Sequence, residues 1–555
     1  MGKLGRRVLV LLVTALAMAT VASCGGGDDS GGGSSSNAKK GGTITIAQTS
    51  NPDFLDPALA YTVEAATAHW LIYPGLLTYK HEEGKAGAEL IPAAAEKLPE
   101  ISSDGKTYKF TLRKGLKYSD GTPAKATDFE RTIQRSLTLE WGGLSFFEAI
   151  DGVSDYVKGK KEGAKIKGII ADNKTGDITI KLTEKNGQFP YILAFPSAGL
   201  VPSDTSFKNL SKDPPPGLGA YAFDNAAIEP NRSYALVRNK YFDIPGIPKG
   251  NVDRINVKLI KSQTRQAEDV ISGKLDWMLD EPSQDLLPEI RAKYKDRYEE
   301  NVANSTYYMF LNTKAKPFDK PEVRQAVNYA FDKRAAQRLF GGLLQPDCNF
   351  LPPGMQGYKK IDPCPWGDPN AAPNIEKARQ LIEKSGEKGT KVTVWGDDEE
   401  RSSRITQYYT DVLNKIGLKA KPKIIGAETY FATIGNKKLN PQTGFDDWFQ
   451  DFPHPADFFF LLESGSIQPT NNQNHSQSTD KQLDSQANKV KQGQADEVAD
   501  PAAELDKYST GLDKAYILPY GHSKDTTFTS ERMDFKNCTV YHPVYRDDWS
   551  QFCLK

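Results

Sequence analysis

Alternating apolar and polar residues recur along the chain and predict β-strands, because successive side chains of a strand point to opposite faces of a sheet. The pattern runs through Thr43–Ala47, Lys106–Leu112, Asp177–Leu182, Arg254–Ile260, Tyr307–Asn312, Lys391–Trp395 and Leu418–Ile424. Glycine or aspartate precedes most of these segments, as is typical of turns. The sequence therefore predicts many short strands rather than a few long ones.

Apolar residues three or four positions apart predict amphipathic helices between these strands. One stripe follows Thr127, a predicted N-cap. A second stripe follows Pro317, and a third precedes Gly417. Their apolar members are Phe129, Ile133 and Leu137; Val323, Ala326, Val327, Ala330 and Phe331; and Ile405, Tyr408, Val412 and Ile416. Residues 64–79 predict a helix with a break at Pro74-Gly75. The strand–helix–strand succession in the second half predicts an α/β lobe with a parallel sheet.

The first forty residues predict export and a lipid anchor. Lys3, Arg6 and Arg7 precede an apolar stretch of about a dozen residues, which is too short to span a bilayer. Small residues then lead to Cys24, in a string that resembles a bacterial lipobox. We expect residues 1–23 to be a signal peptide and residues 24–40 a lipidated cysteine with a flexible Gly/Ser tether. A plain secretory signal and an uncleaved anchor are the alternatives.

Size and charge limit the remaining possibilities. The chain has 555 residues, so its body should divide into two or three lobes. Its net charge is +0. Clustered lysines and arginines typical of nucleic-acid binding are absent, and no later apolar run reaches membrane-spanning length.

The five cysteines fit an exported protein. Cys24 is assigned to the lipid, and the other four allow three disulfide connectivities. We expect the local pairs Cys348–Cys364 and Cys538–Cys553, each of which would close a loop of about 15 residues and contribute roughly 3 kcal/mol. A metal site is the competing interpretation, which no C-x-x-C or matching histidine spacing supports.

Motifs of catalysis are missing from the sequence. Its six histidines do not form H-E-x-x-H, and no serine lies in G-x-S-x-G. We therefore expect no enzymatic activity, no cofactor and no metal. Residues 445–460 interleave aromatic residues, aspartates and prolines. Such a stiff loop with a desolvated carboxylate suits an organic cation, and a core-packing segment with solvent-facing acids is the alternative.

Several strings, in order, resemble the extracellular solute-binding proteins of family 5, the peptide-type receptors of bacterial ABC importers. They include Gly41–Ile46 with Leu55-Asp56-Pro57, residues 104–123, Gly219-Ala220-Tyr221, Ser272–Asp276, residues 317–332, and the W-x-x-D loop with Trp448, Asp451 and Pro455. Each string is weak alone, but together they run through nearly the whole mature chain.

The resemblance implies an α/β, two-lobed periplasmic-binding-protein-like fold of type II, with an extra inserted domain and two hinge strands. By analogy, lobe 1 comprises residues 41–83, 201–305 and 521–555, and the inserted domain residues 84–200. Lobe 2 would comprise residues 306–520, with the hinge strands near residues 307–310 and 517–520.

The resemblance also implies a site and a role. In peptide-binding relatives the acid of the W-x-x-D loop pairs with the α-ammonium group of the ligand, and Asp451 holds this position. Trp448 would form a wall of the site, and Asn51, Tyr308 and Phe452 are further expected ligand contacts. The implied role is that of an extracytoplasmic, monomeric receptor, anchored to the outer face of the membrane, which delivers a small solute to a permease and its ATPase.

Oligopeptides are the expected cargo, and a nickel chelate or a sugar is the alternative. A sensor or adhesin on the same fold would also fit the sequence. A cell-envelope hydrolase is a further alternative, but it needs a nucleophile–base pair that the sequence does not display.

Overall fold

The computed structural model of the chain describes residues 39–159, 161–470, 472–494 and 497–555. The expected signal peptide, Cys24 and nearly all of the tether lie outside the described residues. Within the described part, no helix is both long enough and apolar enough to cross a bilayer.

Three sheets organise the molecule. The first lobe is built on a five-stranded sheet in the order β11-β1-β10-β9-β8, beside a four-stranded sheet in the order β4-β5-β7-β6. The strands of the first sheet are β1 (Thr43–Gln48), β8 (Tyr221–Phe223), β9 (Ser233–Arg238), β10 (Arg254–Leu259) and β11 (Trp277–Met278). Those of the second are β4 (Glu100–Ile101), β5 (Thr107–Thr111), β6 (Ile169–Ala171) and β7 (Asp177–Lys181).

The second lobe is built on a seven-stranded mixed sheet in the order β12-β18-β13-β17-β15-β16, with β14 paired to β18. Its strands are β12 (Tyr298–Val302), β13 (Ser305–Leu311), β14 (Leu344–Gln345), β15 (Lys391–Asp397), β16 (Lys419–Ile425), β17 (Thr443–Phe449) and β18 (Ile517–Phe528). Two hairpins complete the strands: β2 (Leu77–Tyr79) with β3 (Leu90–Pro92), and β19 (Tyr541–His542) with β20 (Arg546–Asp547).

Helices cover the sheets. Those of the first lobe and its C-terminal segment are α1 (Val63–Ile72), α2 (Gly84–Gly87), α3 (Thr127–Thr138), α4 (Val153–Gly159), α5 (Phe189–Ile192), α6 (Gln263–Ile271), α7 (Leu287–Lys293) and α16 (Phe535–Cys538). Those of the second lobe are α8 (Pro321–Ala330), α9 (Lys333–Leu339), α10 (Ile375–Ser385), α11 (Glu400–Lys415), α12 (Ala427–Ile434), α13 (Ala456–Phe459), α14 (Lys481–Gln492) and α15 (Ala499–Thr510).

The apolar pattern of the sequence explains most of these elements. In α3 the expected stripe Phe129, Ile133 and Leu137 is buried. In the second lobe, β15, α11 and β16 form the expected strand–helix–strand unit, and the two strands are parallel. The sheet as a whole is mixed rather than parallel, because β13 runs antiparallel to both β17 and β18.

Two local expectations are wrong. The segment after Pro74-Gly75 is the strand β2 rather than a second half of helix, since the chain turns there against Leu193, whose carbonyl oxygen would lie 2.2 Å from a Cβ at Gly75. Thr127 is the first residue of α3 rather than its N-cap. The side chain of Asp128 instead accepts from the backbone N–H of Lys125, at 2.8 Å.

Two large apolar cores correspond to the two lobes. One gathers residues from Ile44 to Leu279 together with the C-terminal residues 533–554, and the other gathers residues from Tyr307 to Tyr520. The long strand β18 joins them. It begins beside β13, continues beside β12, and the chain then bridges from Thr529 to Trp277 in β11 of the first lobe.

Both local disulfides are present. Cys348 and Cys364 are joined with their Cα atoms 6.0 Å apart, and Cys538 and Cys553 with theirs 5.5 Å apart. The first crosslinks a proline-rich loop of the second lobe. The second closes the C-terminal segment that packs on the first lobe.

A fully buried ion pair fixes the loop after β1 to the helix α3. Arg135 of α3 donates to both carboxylate oxygens of Asp56, at 3.0 and 2.8 Å. The backbone N–H of Leu210 donates to the same carboxylate, and Arg135 also donates to the carbonyl oxygen of Ser206. The pair therefore joins three separate segments of the first lobe.

We expect Asp56→Asn to lower the free energy of unfolding by about 3–5 kcal/mol, because it leaves the buried guanidinium of Arg135 without its counter-charge. Urea denaturation followed by tryptophan fluorescence measures the change. The control is Glu100→Gln, which removes an exposed partner of Lys97 and should leave the midpoint unaltered. An Asp56→Asn midpoint equal to that of the wild type would contradict the prediction.

Candidate binding cleft

A cavity lies between the two lobes, at the start of α1 and the end of β17. Its walls include Tyr61 and Val63 at the start of α1, Phe449 and Asp451 at the end of β17, and Arg546 from the C-terminal segment. The cavity has a volume of about 90 Å³, which holds a few water molecules.

Asp451 connects the two lobes at this cavity. The chain leaves β17 at Phe449 and enters a loop stiffened by Pro453 and Pro455 before α13. The hydroxyl of Tyr61, from the first lobe, donates to Asp451 Oδ2 at 2.6 Å. No cationic side chain pairs with Asp451 among the described residues.

A second carboxylate lies directly behind Asp451. The fully buried Asp457 accepts from the backbone N–H of Asp451 at 2.8 Å and from Trp448 Nε1 at 3.4 Å, both on Oδ2. Its Oδ1 atom has no hydrogen-bond partner in the described part of the chain. Asp457 was not predicted from the sequence, although it lies within the aromatic and acidic string at residues 445–460 that drew attention to Asp451.

Burial controls the charge of this carboxylate pair. Burial raises the pKa of Asp451 to about 7. The hydrogen bond from Tyr61 lowers this pKa, but by less than burial raises it. Burial also raises the pKa of Asp457 well above the usual range, and the charge of Asp451 raises it further. Without a cation in the cleft, the pair therefore retains a proton near neutral pH.

The other four predicted contacts do not line this cavity. Trp448 is half-buried against Phe460, with ring centroids 5.2 Å apart, and acts on the site through its hydrogen bond to Asp457. Tyr308 is buried in β13 against Phe350. Asn51 is exposed and donates to the side chain of Asn231 at 3.0 Å.

Phe452 lies beside Asp451 but projects into the opposite lobe. It is fully buried and belongs to the apolar core of the first lobe, although its neighbours in sequence belong to the second. Its ring meets Phe146 and Phe195 edge to face, at centroid distances of 5.5 and 6.0 Å. Closure therefore buries an aromatic side chain next to the carboxylate.

Two further polar groups of the cavity wall lack partners. Ser197 Oγ from the first lobe and Gln450 Oε1 from the second are buried without a hydrogen bond among the described residues. The Gln450 oxygen is an acceptor, as is Asp457 Oδ1. Of these two acceptors, Gln450 belongs to the cavity wall, and Asp457 lies behind it.

An ion pair between the lobes closes the other end of the cleft. Arg401, in the first turn of α11, lies 3.1 Å from Glu281, which follows β11 of the first lobe. Arg546 from the C-terminal segment pairs with Asp525 at 2.9 Å and lies over the ring of Phe449. Sequence reasoning missed these residues, because their partners are remote in the chain.

In the described part of the chain, the one grouping of acidic, histidine and cysteine side chains tight enough to share a metal ion is Asp534 with Cys538 and Cys553. Those two cysteines form a disulfide with each other.

Known proteins are similar to this chain in sequence and in fold. Residues 89–469 match the bacterial extracellular solute-binding proteins, family 5 (middle region). The glutathione-binding protein GsiB of Escherichia coli O6:K15:H31 is 26% identical over 441 residues, which cover 77% of this chain and 75% of that protein.

Two solved structures extend the likeness over more of the chain. The clavulanic acid biosynthesis oligopeptide binding protein 2 has a TM-score of 0.83 at 22% identity, covering 93% of this chain and 96% of that chain. The periplasmic binding protein DppA of Helicobacter pylori, solved with the peptide STSA, has a TM-score of 0.77 at 21% identity, covering 93% and 98%. These likenesses confirm the expected type II fold. Because the family match spans well over half of the sequence, the chain belongs to the bacterial extracellular solute-binding proteins of family 5.

Proposed function

We propose that this chain is the substrate-binding lipoprotein of an ABC importer, and that it captures short peptides between its lobes and delivers them to the permease. The observation that carries the proposal is Asp451, a desolvated carboxylate without a cationic partner among the described residues, on the wall of a cleft between two lobes. The α-ammonium group of a peptide supplies the missing charge.

Closure gives the binding its selectivity. A solute drives the lobes together only by the difference in its affinity for the closed and open forms. Here the Tyr61 hydroxyl of one lobe bonds the Asp451 carboxylate of the other. A ligand whose ammonium group contacts Asp451 while its backbone contacts the first lobe would replace this direct link with a longer one.

What the similar proteins bind is consistent with this proposal. One similar protein is named as binding glutathione, another as binding oligopeptides, and a third was solved with a tetrapeptide. Glutathione and ordinary peptides share a free α-ammonium group. The same position in this chain would therefore serve either.

Asp451→Ala should weaken peptide binding by at least about 2 kcal/mol, because the peptide ammonium loses its counter-charge in a desolvated site. Calorimetry on the mature protein measures this with a panel of tripeptides, their N-acetylated forms and glutathione. Acetylation should weaken binding to the wild type in the same way.

The matched control is Asp411→Asn, which alters an exposed acid on α11 and should leave binding unchanged. Equal peptide affinities of wild type and Asp451→Ala would refute the role of Asp451. Mass spectrometry of the freshly purified protein would show independently whether a peptide co-purifies.

Peptide affinity should rise as the pH increases towards 7. Below that pH a cationic ligand must displace the proton of Asp451, since burial holds its pKa near 7, so each pH unit costs up to about a factor of ten. Calorimetry at pH 6 in two buffers of different ionisation enthalpy should show proton release on binding. In Asp451→Asn the pH dependence should weaken, and an unchanged profile would assign it to another group.

The lipid anchor has its own test. Labelled palmitate should enter the wild-type protein and should be lost in Cys24→Ser, because the thiol carries the diacylglycerol in a lipobox protein. The control is Ser23→Ala, which keeps the cysteine and a small residue before it. Label retained in Cys24→Ser would remove the lipoprotein assignment without affecting the binding proposal.

A further inference from the structure

The edge strand of the second-lobe sheet carries a row of lysines. In β16 the alternating residues Lys419, Lys421 and Lys423 are exposed on one face, whereas the side chain of Ala420 between them is buried. Lys391, the first residue of β15, is paired with Lys419 in the parallel register, so its exposed side chain lies on the same face. We call these four lysines the lysine face.

The lysine face has no counter-charge of its own. The strand β16 contains no acidic residue, and none of the four lysines forms an ion pair with a described residue. The ammonium group of Lys423 lies over the ring of Trp395, 3.8 Å from its centroid. Glu387, the acid that precedes β15 in the chain, is buried and is already paired with Lys316 and Lys320. The face therefore presents positive charge to its surroundings.

This arrangement costs the sheet some stability. Lys391 and Lys419 stand at paired positions, where like charges repel each other. Lysines and a proline on an edge strand protect it from pairing with another strand, which accounts for Lys421, Pro422 and Lys423. Protection of the edge does not account for Lys391, because β15 lies between β17 and β16. A local rule broken without a gain for the fold is typical of a functional surface.

Exposed apolar side chains accompany the lysines. Ile424 of β16 and Phe431 of α12 are each 40% exposed, and Leu439 in the short turn after α12 is 51% exposed. The helix α12 packs on β15, since the hydroxyl of Tyr430 donates to the carbonyl oxygen of Trp395 at 3.1 Å. Basic and apolar side chains on one surface suit the interface of a membrane with anionic lipids, where cations contact phosphates and apolar side chains enter the boundary of the acyl chains.

The expected anchor leaves the orientation of the body open. The segment from Cys24 to Lys39, where the described chain begins, can reach at most about 50 Å even when fully extended. A lipid at Cys24 therefore holds the lobes close to the membrane surface without selecting the face that is turned towards it. A surface of complementary charge can make that selection.

Resting on the lipid anchor proposed above, we propose that the lysine face docks the second lobe on an anionic phospholipid surface. Its ammonium groups contact the lipid phosphates, and the exposed apolar side chains beside them add contacts at the headgroup level. The docking is electrostatic, so it weakens as salt screens the charges. It needs no peptide in the cleft, and it can therefore be measured separately from cargo binding.

The test measures vesicle binding of the mature chain with Cys24→Ser, in which no acyl chain contributes. Cosedimentation at low salt compares vesicles of phosphatidylcholine with vesicles of equal parts phosphatidylcholine and phosphatidylglycerol. The chain should bind the anionic vesicles at least about tenfold more tightly, and high salt should remove the difference. Adding Lys391→Gln, Lys419→Gln and Lys421→Gln should lower the partition coefficient about fivefold for each lysine replaced.

The matched control replaces three exposed lysines of the first lobe instead, as Lys161→Gln, Lys165→Gln and Lys174→Gln. It should keep the preference for anionic vesicles. The lysine-face variant should unfold at no lower temperature than its parent, because it loses the repulsion between Lys391 and Lys419. A loss of binding can then be assigned to the surface rather than to unfolding.

Equal binding to the two kinds of vesicle, or an equal loss in the control, would overturn the docking proposal. Binding to neither would also overturn it, and would favour an acidic protein surface as the partner. The palmitate experiment tests the anchor in the wild-type chain, whereas the vesicle experiment uses a chain without it. Failure of the anchor and failure of the docking surface are thus distinguishable.

Discussion

A carboxylate taken out of water must either gain a partner of opposite charge or retain a proton, and this requirement shapes the cleft of the molecule. Asp451 and Asp457 are two neighbouring carboxylates of this kind. The donor to Asp451 from across the cleft is the hydroxyl of Tyr61, and the backbone N–H of Asp451 donates to Asp457. Elsewhere in the protein the same requirement is satisfied internally: Arg135 forms two hydrogen bonds with Asp56 in the first lobe. The contrast separates a carboxylate that is paired within the fold from two carboxylates that have no cationic partner among the described residues.

The topology brings these acids together. Parallel strands in both lobes end at the cleft, so that residues following β11 and β15 meet there although more than a hundred positions separate them. The W-x-x-D loop then presents Asp451 from the end of β17. A surface assembled from two such edges is complete only where the two lobes lie against each other.

Much of the fold follows from local sequence pattern, because alternating strands and striped helices depend on nearby residues. The strands at Thr43, Lys391 and Leu418 and the buried stripe of α3 were predictable for this reason. Gly75 was harder, since the steric constraint that makes it a turn comes from Leu193. The conformation of residues 76–79 therefore depends on a residue that is distant in the sequence.

The candidate site was predictable only where a short motif marks it. The string around Trp448 identified Asp451, but the sequence could not show that Asp457 folds back to accept its backbone N–H. Tyr61 contacts Asp451 across the lobe boundary, and Arg401 pairs with Glu281 across it. No spacing in the sequence predicts these contacts. Asn51 and Tyr308 were expected from their places in motifs, yet their side chains bond and pack elsewhere.

The strand β18 runs without interruption from the core of the second lobe to the edge of β11 in the first. A motion that opens the cleft can therefore be absorbed as a small change of twist spread over several peptide units, with the ladder to β12 and β13 kept intact. A continuous strand between the lobes therefore restricts the directions in which they can move apart.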